Sequence, residues 1–166
     1  MTDFTMTKDA EGVATITWDV PGKSMNVMSF DGLGQLNDLI DDALADDAVK
    51  GIVITSGKDG SFAGGMELNA LGGMKAAAAA EGGEPAQGLF DGIMQMHGLL
   101  RKIELAGMDF KTKKGGKPVA AALPGTAAGI GLELPLATHR IFVSENPKAQ
   151  YVLPEILVGI FPGASG

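Results

Sequence analysis

Lys117–Glu133, KPVAAALPGTAAGIGLE, is the stretch on which the fold turns. Its apolar run reads as a buried strand. Pro124-Gly125 stops that strand, and Gly125, Gly129 and Gly131 punctuate the turn that follows. Glu133 then opens the apolar segment Leu134–Ala137. Strand, glycine turn and helix start is the arrangement that aims backbone N–H groups at an anion or a developing oxyanion. A carboxylate one turn further on, Glu133, is placed for acid–base work. On this stretch alone, a tight packing turn without chemistry stays open.

The same order occurs upstream. Val49–Ser56 is β-branched and reads as a buried strand, Gly57–Gly60 as a turn, and Ser61–Leu68, SFAGGMEL, as a second glycine turn entering a short helix. The spacing implies a layered β-α-β architecture, with ligands at the carboxyl ends of strands. Before it, Gly12–Asp19 alternates apolar and polar residues as a half-buried strand does. Ser29 is a helix N-cap with Asp31 in the first turn, and Phe30, Leu33, Leu36, Ile40 and Leu44 set a helix running to about Ala45. Asp41, Asp42, Asp46 and Asp47 read as its wet face. Further on, Gly72–Gly88 divides into an alanine-rich half that can be helical and a loop. Leu89–Glu104 is an amphipathic helix with Phe90, Ile93, Met94, His97, Leu100 and Ile103 near one face. Ala106–Gly116 is a basic loop, Arg140–Val143 a strand, and Ala149–Val152 a short extended piece before Leu153-Pro154-Glu155.

Composition excludes several classes. With no cysteine, there is no disulfide, thiolate metal site or cysteine nucleophile. His97 and His139 lie far apart and in no metal-ligand motif, so no metal is expected. The net charge of -7 argues against a nucleic-acid partner. No apolar run reaches the roughly 20 residues that span a membrane, and a cytoplasmic location is expected. A P-loop is excluded, because no Gly-Lys-Ser/Thr ends the turn. The glycines also resemble the phosphate turn of short-chain dehydrogenases, but the Tyr-x-x-x-Lys pair is missing: Tyr151 is followed four residues later by Glu155.

Three ordered motifs together resemble the enoyl-CoA hydratase/isomerase (crotonase) superfamily. They are SFAGGMEL at 61–68, PGTAAGIGLELPLATH at 124–139 and PEILVGIFPG at 154–163. The resemblance extends over nearly the whole chain. It implies an α/β crotonase (ClpP-like) fold of repeated ββα units, one crotonase-like domain over 1–166, with the family's C-terminal part missing. The chain then reads as the N-terminal portion of a longer protein, poorly active by itself. It further implies two backbone N–H groups as a thioester oxyanion hole, those of Met66 and Ile130. Glu155 is implied as the main acid/base at Cα, and Glu133 as the partner that orients and activates water. Ala63, Gly64, Gly65, Leu68 and Gly129 are implied to line the substrate.

The implied reaction is hydration of trans-2-enoyl-CoA to 3-hydroxyacyl-CoA in fatty-acid β-oxidation, with no metal and no redox cofactor. Pure isomerases of the family commonly lack the first glutamate, so Glu133 favours a hydratase. An isomerase, another acyl-CoA enzyme of the superfamily, or a non-catalytic acyl-CoA-binding module are the alternatives. The departures are Ile130 and Pro135 where the family has glycine and alanine, Glu67 for aspartate, and extra residues between Glu133 and Glu155. The Ala106–Gly116 stretch resembles an insertion of the fused bacterial fatty-oxidation enzymes, in which NAD serves a downstream 3-hydroxyacyl-CoA dehydrogenase domain. The expected partners are an acyl-CoA substrate and either copies of itself, as a trimer or hexamer, or a fatty-oxidation complex.

Overall fold

The computed structural model describes residues 2–67, 85–159 and 161–164. Three neighbouring strands bury alternate residues in the core. In β2 (Val13–Trp18), Ala14, Ile16 and Trp18 are buried; in β3 (Gly51–Ser56), Ile52 and Ile54; in β7 (Val119–Leu123), Val119, Ala121 and Leu123. The register keeps those rows together: Ala14 opposes Ile52, which opposes Val119, and Ile16 opposes Ile54, which opposes Ala121. A slip of one residue would turn every one of these side chains to the other face. β1 (Phe4–Lys8) adds antiparallel to β2, and β9 (Arg140–Val143) adds parallel to β7, giving the order β1-β2-β3-β7-β9. Trp18 anchors the core, stacked on Phe4 at 5.2 Å and edge-on to Phe62 at 5.9 Å.

A second, parallel sheet has the order β10-β8-β4. Its strands are β4 (Ser61–Ala63), β8 (Thr126–Ala128) and β10 (Tyr151–Val152). Helix α1 (Phe30–Ala45) packs on β1 and against α2 (Pro85–Leu105), while the short α3 (Ile130–Leu136) packs on β4, β8 and β9. Ser29 caps α1 as expected, its hydroxyl accepting the Gly32 N–H at 3.0 Å.

The structure corrects several expectations. Pro124-Gly125 is not the entry to a helix but a corner between two strands, β7 and β8. The corner is so tight that a Cβ at Gly125 would lie 1.8 Å from the Gly60 carbonyl oxygen. Ser61–Ala63 form the strand β4, so the expected glycine turn begins inside a second sheet. α2 starts at Pro85, four residues before Leu89, because proline's fixed φ suits a first helical position. Phe90 and Met94 are exposed, while Leu99, Leu100 and Ile103 carry the buried stripe. Ala106–Gly116 is a small hairpin, β5 (Met108–Asp109) with β6 (Lys114–Gly115), rather than a plain loop. The acidic run of α1 is partly engaged: Asp41 pairs with Lys102 at 2.6 Å and Asp46 with Lys8 at 2.5 Å. Pro135 lies in the second turn of α3, and the helix ends one residue later at Leu136. Leu68 and most of Gly72–Gly88 lie outside the described residues.

Candidate active site

The site forms where two glycine-led segments meet. Met28 and the 65–67 segment form a parallel bridge: the Met28 N–H donates to Gly65 O, and the Glu67 N–H donates to Met28 O, both at 2.8 Å. In extended chain, neighbouring N–H groups point to opposite sides. With Gly65 O and Glu67 N–H turned to Met28, the Met66 N–H faces away, and it has no acceptor among the described residues. Gly65 takes φ +108°, a conformation reserved largely for glycine.

The second segment has the same design. Gly129 stands before α3 with φ 56° and ψ -133°, again glycine territory. Its own N–H is spent on Val152 O at 3.0 Å, and its carbonyl accepts from Leu132 and Glu133. The next N–H, on Ile130, is the first of the helix and has no acceptor among the described residues. Because the unusual φ sits on Gly129, isoleucine at 130 carries no backbone strain; its side chain is buried. A Cβ built on Gly129 would lie 3.6 Å from Gly65 Cα and 3.0 Å from Glu155 Oε1. The two glycines and the Glu155 carboxyl therefore share one small volume. A Cβ on Gly131 would meet Ala63 Cβ at 2.7 Å, so α3 lies with its backbone directly on β4.

Both glutamates are drawn inward. Glu133, in the first turn of α3, is 3% exposed, and its Oε1 accepts the Ala164 N–H at 2.9 Å. Glu155 opens a 3₁₀ turn, Glu155–Val158, and its Oε2 is buried without a hydrogen-bond partner among the described residues. A buried carboxylate oxygen in that condition is costly unless water or a ligand group reaches it. The Glu155 carboxyl lies against Gly129. Among the described residues no group of carboxylates and histidines is arranged to hold a metal.

Two supports were not singled out in the sequence. Asn26, fully buried, donates to Trp18 O, Phe62 O and Ser56 Oγ at 2.8, 2.9 and 3.0 Å and accepts the Val20 N–H at 2.9 Å. It ties the 20–28 segment to β2, β3 and β4, and so fixes the Met28 bridge. Its only signal is an amide between two apolar stretches. Ala164, beyond the third motif, has a signal only in its backbone, which no side-chain pattern reveals.

No family model matches the chain. The chain superposes over its full length on 54% of an enoyl-CoA hydratase of Geobacillus kaustophilus, with a TM-score of 0.79 and 23% identity. It also superposes over 98% of its length on 55% of an enoyl-CoA hydratase of Bacillus anthracis, with a TM-score of 0.75 and 20% identity. The chain has the crotonase fold. In sequence, this crotonase-fold chain is 37% identical over 164 residues to the fatty acid oxidation complex subunit alpha of Idiomarina loihiensis. That match covers 98% of this chain and 20% of the relative, so the chain spans about a fifth of such a subunit. The resemblance carried by the three motifs is thus borne out.

Proposed function

We propose that this chain carries the active site of an enoyl-CoA hydratase of fatty-acid β-oxidation, adding water to trans-2-enoyl-CoA to give 3-hydroxyacyl-CoA. The observation that carries this reading is the meeting of Gly65, Gly129 and the Glu155 carboxyl, with the Met66 and Ile130 N–H groups following the two glycines. When hydroxide character adds at Cβ, charge builds on the thioester oxygen. Two fixed N–H donors, one at a helix start, stabilise that charge, and one such donor is typically worth about 2.7–4 kcal/mol of barrier. Backbone donors need no particular side chain, which is why methionine and isoleucine serve.

The two carboxylates divide the water. Glu133, oriented by the Ala164 N–H, holds the water and takes its proton as oxygen bonds to Cβ. Glu155, its Oε1 against Gly129 and its Oε2 buried without a partner among the described residues, starts protonated, delivers its proton to Cα and is reprotonated as Glu133 releases the one it took. The sum is water added across the double bond, with no change of oxidation state and no redox cofactor. Ala63, Gly64, Gly65 and Gly129 line the acyl end; Leu68, grouped with them by its motif, lies outside the described residues. In a longer chain of the fatty-oxidation type, NAD would serve a separate dehydrogenase domain. We place the reaction in the cytoplasm, within a homo-oligomer or a fatty-oxidation complex; no helix among the described residues is long and apolar enough to cross a membrane.

The test is hydration of crotonyl-CoA by the full-length protein against Glu133→Gln and Glu155→Gln. Each variant is expected to lose about 10²–10⁴-fold in kcat. Wild-type turnover in both would overturn the assignment. If a 3-enoyl-CoA is converted and crotonyl-CoA is not, the chain is an isomerase instead.

A further inference from the structure

One peptide unit beside the site makes two polar contacts, of which the roles above use only one. The Ala164 N–H donates to Glu133 Oε1 at 2.9 Å, and the carbonyl of the same peptide, Gly163 C=O, is held by His97 Nε2. A carbonyl oxygen only accepts, so Nε2 carries the hydrogen. The order is therefore imidazole N–H to carbonyl, then N–H of that same amide to carboxylate. It joins α2 to α3 across the tail. Nothing else in the 161–164 segment makes a hydrogen bond among the described residues, and Phe161 is exposed, so these two contacts, together with the packing of Ala164 against the core, set where the peptide lies. Hydrogen bonds in series polarise one another: a donor on the C=O makes the N–H of the same amide the better donor.

We propose that His97 is a positioning residue for Glu133, acting through the Gly163–Ala164 peptide; the catalytic half of this proposal rests on the hydratase reading. His97 touches no reacting atom. It fixes the plane of the peptide, and the peptide fixes the carboxylate that holds the water. A shift of about 1 Å in such a group can cost about 100-fold in rate. Because the water is met after the thioester is bound, the loss falls on kcat and leaves KM in place.

The test uses full-length protein and three forms: wild type, His97→Leu, which deletes the donor, and His97→Gln, whose side-chain amide nitrogen reaches the same position. Hydrogen–deuterium exchange of the peptide containing Ala164 reports the contact without reference to activity. Its exchange is expected to rise about fivefold in His97→Leu, the factor one ordinary hydrogen bond is worth, and to stay near wild type in His97→Gln. Crotonyl-CoA kcat is expected to fall about 10- to 100-fold in His97→Leu at unchanged KM, and to recover in His97→Gln. If His97→Leu does not fold, His97→Asn, too short for the Gly163 carbonyl, gives the same two readouts. Unchanged exchange on losing the donor, or a glutamine variant as impaired as the leucine one, overturns the proposal. If wild type hydrates no enoyl-CoA, the hydratase reading fails while the exchange result still decides the link between His97 and the tail.

Discussion

Gly129→Ala separates geometry from stability at the site. Gly129 sits at φ 56° and ψ -133°, and an alanine forced there costs about 1–3 kcal/mol. Alanine also stiffens the unfolded chain, which offsets about 0.4–1 kcal/mol of that. The net loss is about 1–2 kcal/mol, a fall of roughly 2–8 °C in Tm for a chain of this size. That leaves the protein folded at 25 °C. The new methyl, however, falls 3.0 Å from Glu155 Oε1 and 3.6 Å from Gly65 Cα. The Gly65 contact is ordinary; the Glu155 contact is too close, and the carboxyl end must give by a few tenths of an ångström. That is a fraction of the roughly 1 Å shift that costs about 100-fold, so the expected loss is several-fold in rate, on the order of 1 kcal/mol of barrier. Gly107→Ala is the control. Its φ of +82° imposes comparable strain, yet its nearest neighbour would be Leu44 Cδ2 at 3.7 Å, an ordinary contact far from the glutamates. Urea unfolding and crotonyl-CoA hydration of full-length protein, run side by side, are expected to show both variants weakened and only Gly129→Ala slow. Equal kcat in the two variants would refute the placement of Glu155 against Gly129.

Two further outcomes follow from the framework around the site. Asn26→Asp puts acceptors against Trp18 O, Phe62 O and Ser56 Oγ, and is expected to cost at least about 3 kcal/mol in urea unfolding, since each buried group left unsatisfied costs about 1–3 kcal/mol. An unchanged midpoint would contradict the tie. Asp46 is held below its ordinary value of 3.8, first by the Lys8 ammonium hydrogen bond and then by the Ala48 N–H. Its folded value lies below its unfolded one, so its contribution to stability is present above about pH 4 and is lost as pH falls through the folded value. Asp46→Asn is expected to flatten the acid limb of the stability curve slightly, because the pair is solvent-exposed; a limb of unaltered slope would show the pair contributes nothing.

How far the sequence could be read depends on what kind of signal each part leaves. β2 is legible from its alternation, β3 and β7 from their β-branched and apolar runs, and α1 because Ser29 and its apolar stripe agree. β4, β8 and β10 are two or three residues long, too short for any period, so the second sheet is visible only in space. The motif around Gly129 pointed to the site, but generic turn chemistry could not distinguish a thioester from a phosphate; that distinction came from three motifs in order. Pro124-Gly125 reads as punctuation, and only the Gly60 carbonyl lying against it shows that it is a corner between strands. His97 on its helix looked like an ordinary packed residue because its partner is a backbone carbonyl, which has no letter of its own.

The Asn26 clamp has a consequence for the order in which the protein is made. All its partners, Trp18, Val20, Ser56 and Phe62, and the Met28 bridge that turns the Met66 N–H outward, lie within the first 67 residues. Ile130 leaves the ribosome only after a further stretch, which at about 5–20 residues per second takes roughly 3–13 s. Every contact of the clamp is therefore synthesised before the helix start that supplies the second N–H exists.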